Sequence, residues 1–125
     1  MIIIKQKGNF RNTERLLSRA QKLRLQTILE HYGTRGVAAL ASATPRDTGK
    51  TASSWGYQVS ITNKGYSIAW TNSNEINGIL PAILIQYGHG TGTGGYVEGL
   101  DYINPAMKPI FNEIADAIWK EVSNL

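Results

Sequence analysis

Trp55-Gly56-Tyr57-Gln58-Val59-Ser60-Ile61-Thr62-Asn63-Lys64-Gly65-Tyr66-Ser67-Ile68-Ala69-Trp70 is the stretch on which the fold turns. In its first half Trp55, Tyr57, Val59 and Ile61 alternate with Gly56, Gln58 and Ser60. In its second half Tyr66, Ile68 and Trp70 alternate with Ser67 and Ala69. A period of two sends successive side chains to opposite faces of a strand, and aromatic and β-branched residues suit a half-buried pleated surface. Asn63-Lys64-Gly65 between the halves is a turn signal. An antiparallel hairpin over about residues 53–71, with one buried face, follows.

On the N-terminal side, Ile2–Lys5 reads as a short strand and residues 12–43 as helical. Asn12 is the expected cap, with Glu14 in the first turn where a negative charge suits the helix dipole. Leu16, Ala20 and Leu23 lie at helical spacing, as do Leu25, Ile28, Leu29 and Tyr32. The two stripes are out of phase, which predicts a bend or break near Leu23–Arg24. Gly33 and Gly36 each weaken a helix by about 1 kcal/mol relative to Ala. Two readings stay open there: one continuing helix with a small-residue contact face, or two helices parted at Gly33. Pro45 ends the helical region.

On the C-terminal side, Thr71–Gly78 reads as a polar loop. Ile79–Tyr87 is apolar; Pro81 excludes its start from a central strand, so a third strand is expected over residues 82–87. From Gly88 to Gly99 six of twelve residues are glycine, which predicts a flexible loop over 88–102. Asn104-Pro105 signals a helix start. Met107, Ile110, Phe111, Ile114, Ile118 and Val122 then make one apolar stripe over 105–122, with Pro109 bending its first turn. The expected class is α+β: a hairpin-centred antiparallel sheet of 3–4 strands, packed against a basic N-terminal helical region and a C-terminal helix, in a single domain over all 125 residues.

Composition narrows function. A chain this long buries roughly two-thirds of the surface that its unfolded form exposes, enough to fold without disulfide or metal. With no cysteine, disulfide frameworks, thiol catalysis and cysteine-ligated metals are excluded. Two histidines, His31 and His89, are too few for a multi-histidine site. No metal and no cofactor is expected. No apolar run reaches the roughly 18–20 residues that span a bilayer, and Met1-Ile2-Ile3-Ile4-Lys5 does not read as a signal peptide. The expected location, at least at synthesis, is therefore the cytoplasm. Net charge is +4 and unevenly spread: residues 1–40 hold eight Lys/Arg against two Glu, residues 41–125 five against seven Asp/Glu. A basic N-terminal third suits an acidic partner.

Several chemical motifs fail on context. Gly49-Lys50-Thr51 resembles the end of a phosphate-binding loop, but the first glycine that loop needs is Thr44. Gly90-Thr91-Gly92-Thr93-Gly94-Gly95 satisfies Gly-x-Gly-x-x-Gly, yet no helix opens after it to hold a pyrophosphate. Asp47-Thr48-Gly49 matches the core of an aspartic protease site, but Arg46 and Lys50 keep Asp47 ionised and solvated, which suits a turn. His89, with Asp101 further along, lacks a serine in a nucleophile elbow. His31 reads as a helix C-terminal residue near Gly33. The chain is not expected to be an enzyme. One constellation survives: Arg11, Arg15, Arg19 and Lys22, spaced 4, 4 and 3, align on one helix face that suits phosphates or an acidic subunit. No aromatic interleaves them, which argues against base stacking.

The order of features resembles the tail-completion, or head–tail joining, proteins of long-tailed bacteriophages, often labelled minor tail components. A basic helix leads to Ala43-Thr44-Pro45-Arg46-Asp47-Thr48-Gly49-Lys50-Thr51-Ala52-Ser53-Ser54-Trp55; the hairpin follows, then Ile85-Gln86-Tyr87-Gly88-His89-Gly90-Thr91, a glycine loop, and Tyr102-Ile103-Asn104-Pro105-Ala106. Gln86 and Thr51 stand where that family often has Glu and Leu. The resemblance spans about residues 10–122 and implies a structural protein without an active site. It implies a homo-oligomeric ring, commonly sixfold, at the neck of the virion, between head-closure or connector proteins and tail-terminator proteins. Such a ring assembles in the host cytoplasm and then stays at the head–tail interface, with no membrane partner. Gly88, His89, Gly90, Thr91, Gly92, Gly94, Gly95 and Tyr96 would order on docking to a neighbour. Arg11, Arg15, Arg19 and Lys22 would face an acidic ring or touch passing double-stranded DNA without sequence preference. The alternative reading is a small basic nucleic-acid-binding protein.

Overall fold

In a computed structural model, residues 2–9, 18–45, 49–62, 64–90 and 93–123 are described. The sheet is built on the expected hairpin. Strands β2 (Trp55–Ile61) and β3 (Gly65–Asn72) pair antiparallel, with Tyr57 opposite Trp70 and Val59 opposite Ile68. Strand β1 runs over Ile2–Asn9, twice the expected length, and pairs antiparallel with the other side of β3. The order is β1-β3-β2, so the second strand of the hairpin is central.

Alternation sorts the two faces. Ile4, Tyr57, Val59, Ile61, Tyr66, Ile68 and Trp70 join the core. Lys5, Lys7, Gln58 and Ser60 are exposed on the opposite face. Helix α1 (Arg19–Ala43) lies across the core face without a break and buries Leu25, Leu29, Gly33, Gly36 and Leu40. The continuing-helix reading therefore holds, and the expected break near Leu23–Arg24 does not occur. Ala20 and Leu23, expected on an apolar inner face, are exposed, and only the stripe starting at Leu25 meets the sheet. The reason is the close approach at Gly33 and Gly36. A Cβ on Gly33 would enter the Tyr57 ring and one on Gly36 the Trp70 indole. Trp70 Nε1 donates to the Gly33 carbonyl at 3.0 Å, so helix and central strand are bonded where they touch.

The helix starts at a Ser18 cap, where Gln21 N donates to Ser18 Oγ and Ser18 N donates to Gln21 Oε1, a reciprocal box that satisfies two end groups. Asn12 and Glu14, expected at that start, lie outside the described residues. His31 stands in mid-helix and exposed, not at a C-terminus, because the helix does not stop at Gly33.

Two polar junctions brace the hairpin. Trp55 Nε1 donates to Thr44 Oγ1 at 3.0 Å, tying the end of α1 to the start of β2. After the one-turn helix α2 (Gly49–Ala52), buried Thr51 takes hydrogen bonds from Asn72 Nδ2 to its carbonyl and from Asn74 Nδ2 to its hydroxyl. Thr71–Gly78, expected to be loop, thus begins as strand and contributes two buried asparagines.

The expected third strand at 82–87 is instead helix α3 (Pro81–Tyr87). Proline locks φ near the helical value and its missing N–H costs nothing in a first turn. Ala82 and Gln86, four residues apart, are its buried positions. The last helix, α4, runs over Ile103–Ser123 with Pro109 inside, and buries Met107, Ile110, Ile114 and Ile118 against α1 and the sheet. The α+β class stands as expected.

Candidate functional site

The glycine-rich segment is not wholly irregular. Helix α3 ends at Gly88, whose φ of 81° carries the chain into strand β4 (Gly88–Gly90). A Cβ there would strike the carbonyl of Val97, so the position needs glycine on two counts. β4 pairs antiparallel with β5 (Tyr96–Glu98): Gly88 opposite Glu98, His89 opposite Val97, Gly90 opposite Tyr96. The expected flexible loop over 88–102 is thus a short hairpin whose described tip is Thr93–Gly95, with a return strand to α4. Thr91 and Gly92 lie outside the described residues.

The base of this hairpin is fastened by Gln86. Its Oε1 accepts from Tyr102 N and Ile103 N, both at 3.2 Å, and its Nε2 donates to Asp101 Oδ1 at 2.8 Å. One buried amide therefore caps the start of α4 and holds the chain entering it. Asp101 also accepts from Asn104 N, and the helix begins at Ile103, one residue before the Asn104-Pro105 signal, with its cap upstream. The Gln86 hydrogen bond is the main reason that the Asp101 carboxyl is held below the usual range, even though it is exposed. A glutamine keeps both roles, acceptor and donor, whereas an ionised glutamate would only accept. Leu100 N donates to the Ile85 carbonyl at 2.8 Å, and Tyr102 Oη to the Ala82 carbonyl at 2.9 Å. Burial pushes the Tyr102 phenol up to about 12.

Above that anchored base the surface is apolar. Tyr87 is 69% exposed, Tyr96 65%, Leu100 58% and Val97 46%. Pro45, Pro81, Leu84 and Ile85 join Val97 and Leu100 around a groove of about 310 Å³. His89 and Glu98 supply its polar rim. His89 Nδ1 is buried with no hydrogen-bond partner among the described residues. Asp101 gives its carboxylate to Gln86 and Asn104, so His89 has no Asp101 partner in this arrangement.

The predicted docking residues Gly88, His89, Gly90, Gly94, Gly95 and Tyr96 therefore share one hairpin. The predicted basic row does not gather in the same way. Arg11 and Arg15 lie outside the described residues, as does Asp47. Arg19 is exposed and Lys22 half-buried in the first turn of α1. Lys50 and Thr51 belong to α2, where Thr51 is buried under Asn74, unlike a phosphate-loop threonine that must reach a ligand. Among the described residues, no three His, Cys, Asp or Glu side chains gather where they could hold a metal ion. Sequence reading missed Gln86, Asn72 and Asn74, since a lone amide in an apolar or polar run gives no periodic signal. Comparison with protein-family models, with curated proteins and with solved structures finds no match for this chain.

Proposed function

We propose that this chain is a non-enzymatic structural component of bacteriophage assembly, a tail-completion or head–tail joining protein whose copies close into a ring at the neck of the virion. The reading starts from the order of segments described above. The observation that carries it further is the β4–β5 hairpin, which is anchored at its base by Gln86 yet presents Tyr87, Tyr96, Val97 and Leu100 to solvent. A cluster of large apolar side chains on an anchored projection suits burial against another protein surface. A neighbouring copy is the proposed occupant, received by a different surface, so that head-to-tail contacts repeat and the rotation closes. The host cytoplasm is the proposed place of assembly, and the head-closure and tail-terminator proteins are the proposed neighbours above and below.

Light scattering over a wide concentration range tests this directly. The expected result is a discrete closed oligomer, hexameric or close to it. Tyr87→Ser, Val97→Ser and Leu100→Ser combined should return it to monomer with the circular dichroism unchanged. A wild-type chain that stays monomeric at every concentration, with a triple variant that still joins heads to tails, would sink the reading.

A further inference from the structure

The charge asymmetry of the sequence is redistributed by the fold. Arg24 pairs with Glu121 at 2.6 Å and Arg35 with Glu113 at 2.7 Å, so two bases of α1 meet acids of α4. What stays clustered is on the sheet. Its described residues, 2–9, 55–62 and 64–72, include Lys5, Lys7 and Lys64 and no Asp or Glu. Gln6 points to the helix side, where its Nε2 donates to the Phe111 carbonyl at 3.2 Å, and alternation sends Lys5 and Lys7 to the open face.

Register arranges that face in cross-strand rows. Lys7 stands opposite Ser67, which stands opposite Ser60; Lys5 stands opposite Ala69, which stands opposite Gln58. The two rows are about 7 Å apart along the strands. A hollow of about 360 Å³ lies between Lys7 and Lys64, and a second of about 610 Å³ reaches Lys5 and Gln58. Both are lined by Ser60 and Ser67, so the two hollows adjoin at that pair. Among the described residues, the only carboxylate lining either hollow is Glu30, on α1 and bonded by Gln26 Nε2.

We propose that this open sheet face, Lys5, Lys7 and Lys64 around the Ser60–Ser67 pair, is a contact surface for the phosphate backbone of duplex nucleic acid. The described side chains that alternate onto it, Lys5, Lys7, Gln58, Ser60, Ser67 and Ala69, are charged, polar or small, although Tyr57, Val59 and Tyr66 also line the hollows; protein interfaces have an apolar centre, whereas protein–DNA interfaces are polar and strongly positive. The sheet aromatics alternate onto the helix-covered side, where Trp55 and Trp70 are buried and Tyr57 and Tyr66 half-buried, so no described aromatic stands in the Lys5 and Lys7 rows as a stacking platform of the kind that single strands need. Ser60, Ser67 and Ala69 are too short to read base edges, and Gln58 is the one described uncharged side chain of these rows long enough to try, so the contact is mainly to phosphates and nearly blind to sequence. The inference goes beyond the ring reading and holds for a monomer as well as for a ring.

The test is fluorescence anisotropy of a short labelled duplex of arbitrary sequence, titrated at several salt concentrations. Three phosphate contacts per subunit predict a fall in affinity of about 40-fold between about 50 and about 200 mM salt. Lys5→Gln, Lys7→Gln and Lys64→Gln combined should abolish most of that dependence without lowering the melting temperature. Arg19→Gln with Lys22→Gln should leave it in place. Undetectable wild-type binding, an unchanged slope in the triple variant, or loss with the helix pair instead would overturn the assignment. So would tighter binding to an acidic peptide of matched charge than to the duplex, which would give the face to a protein partner. None of these outcomes bears on the oligomer measured by light scattering.

Discussion

Glycine serves opposite purposes in two regions of this molecule. In α1, Gly33 and Gly36 are buried, and their missing side chains let the helix settle onto Tyr57 and Trp70. In the β4–β5 hairpin, Gly94 and Gly95 are exposed, with open space around the Cβ position of Gly94. The first pair is needed because the structure around it is dense, the second because the chain must turn where nothing packs. A helix-weakening residue thus marks a close helix–sheet contact in one region and exposed backbone in the other. The comparison predicts that substitutions at the two sites diverge in both stability and assembly.

The largest effect is expected at Gly36. Alanine there adds helix propensity of about 1 kcal/mol, yet its Cβ meets the Trp70 ring, which is fully buried and hydrogen-bonded to Gly33. Overpacking costs about 1–3 kcal/mol, so Gly36→Ala should destabilise by up to about 2 kcal/mol in urea unfolding. Gly33→Ala should cost less, because Tyr57 is only half-buried whereas Trp70 is fully buried. Equal costs, or a gain at Gly36, would break the account of α1 as a small-residue contact face.

This contrast also shows what was legible from sequence. Period-two alternation gave β2 and β3 within two residues, because each strand has one buried face. Period 3.6 gave α4, and the run from Leu25 gave the inner face of α1. Residues 81–87 were misread because a short apolar run has no decisive period, and proline is as welcome in the first turn of a helix as at a strand edge. The glycines of the candidate site marked where it lies, but the irregular segment that they predicted is a short hairpin. The short β pairing and the Gln86 anchor were not legible, because both depend on partners 6–17 residues away. The open-face lysines were visible as charges, but not as one surface with Lys64 until the register of β1 on β3 was known.

An intermediate effect should appear where the two regions meet. Tyr102 Oη donates to the Ala82 carbonyl at the foot of the hairpin. Tyr102→Phe removes that bond and leaves the carbonyl without its donor, for a loss of about 1 kcal/mol at neutral pH. The phenol is raised from 10.0 to about 12 in the folded protein, so its contribution is fully present below pH 10. Above that the unfolded chain loses the proton first, and stability falls until the folded phenol also ionises near 12. The stability gap between wild type and Tyr102→Phe should therefore narrow as pH rises through this window. A gap that widens would mean that the phenol is not stabilised in its neutral form.

The smallest effect on folding, and the largest on assembly, is expected at the hairpin tip. Thr93, Gly94, Gly95 and Tyr96 are exposed, and the Gln86 and Leu100 hydrogen bonds that fasten the base lie outside Gly90–Gly95. Shortening Gly90–Gly95 should therefore change unfolding free energy by no more than about 0.5 kcal/mol, as for other surface changes. Under the ring reading the same shortening shifts Tyr96 and Val97 relative to any neighbour, so heads and tails should fail to join while the monomer stays folded. A folded variant that still yields normal infectious particles would separate the exposed apolar hairpin from assembly. A variant that unfolds would show instead that the tip supports the core, and the contrast between packed and unpacked glycines would fail.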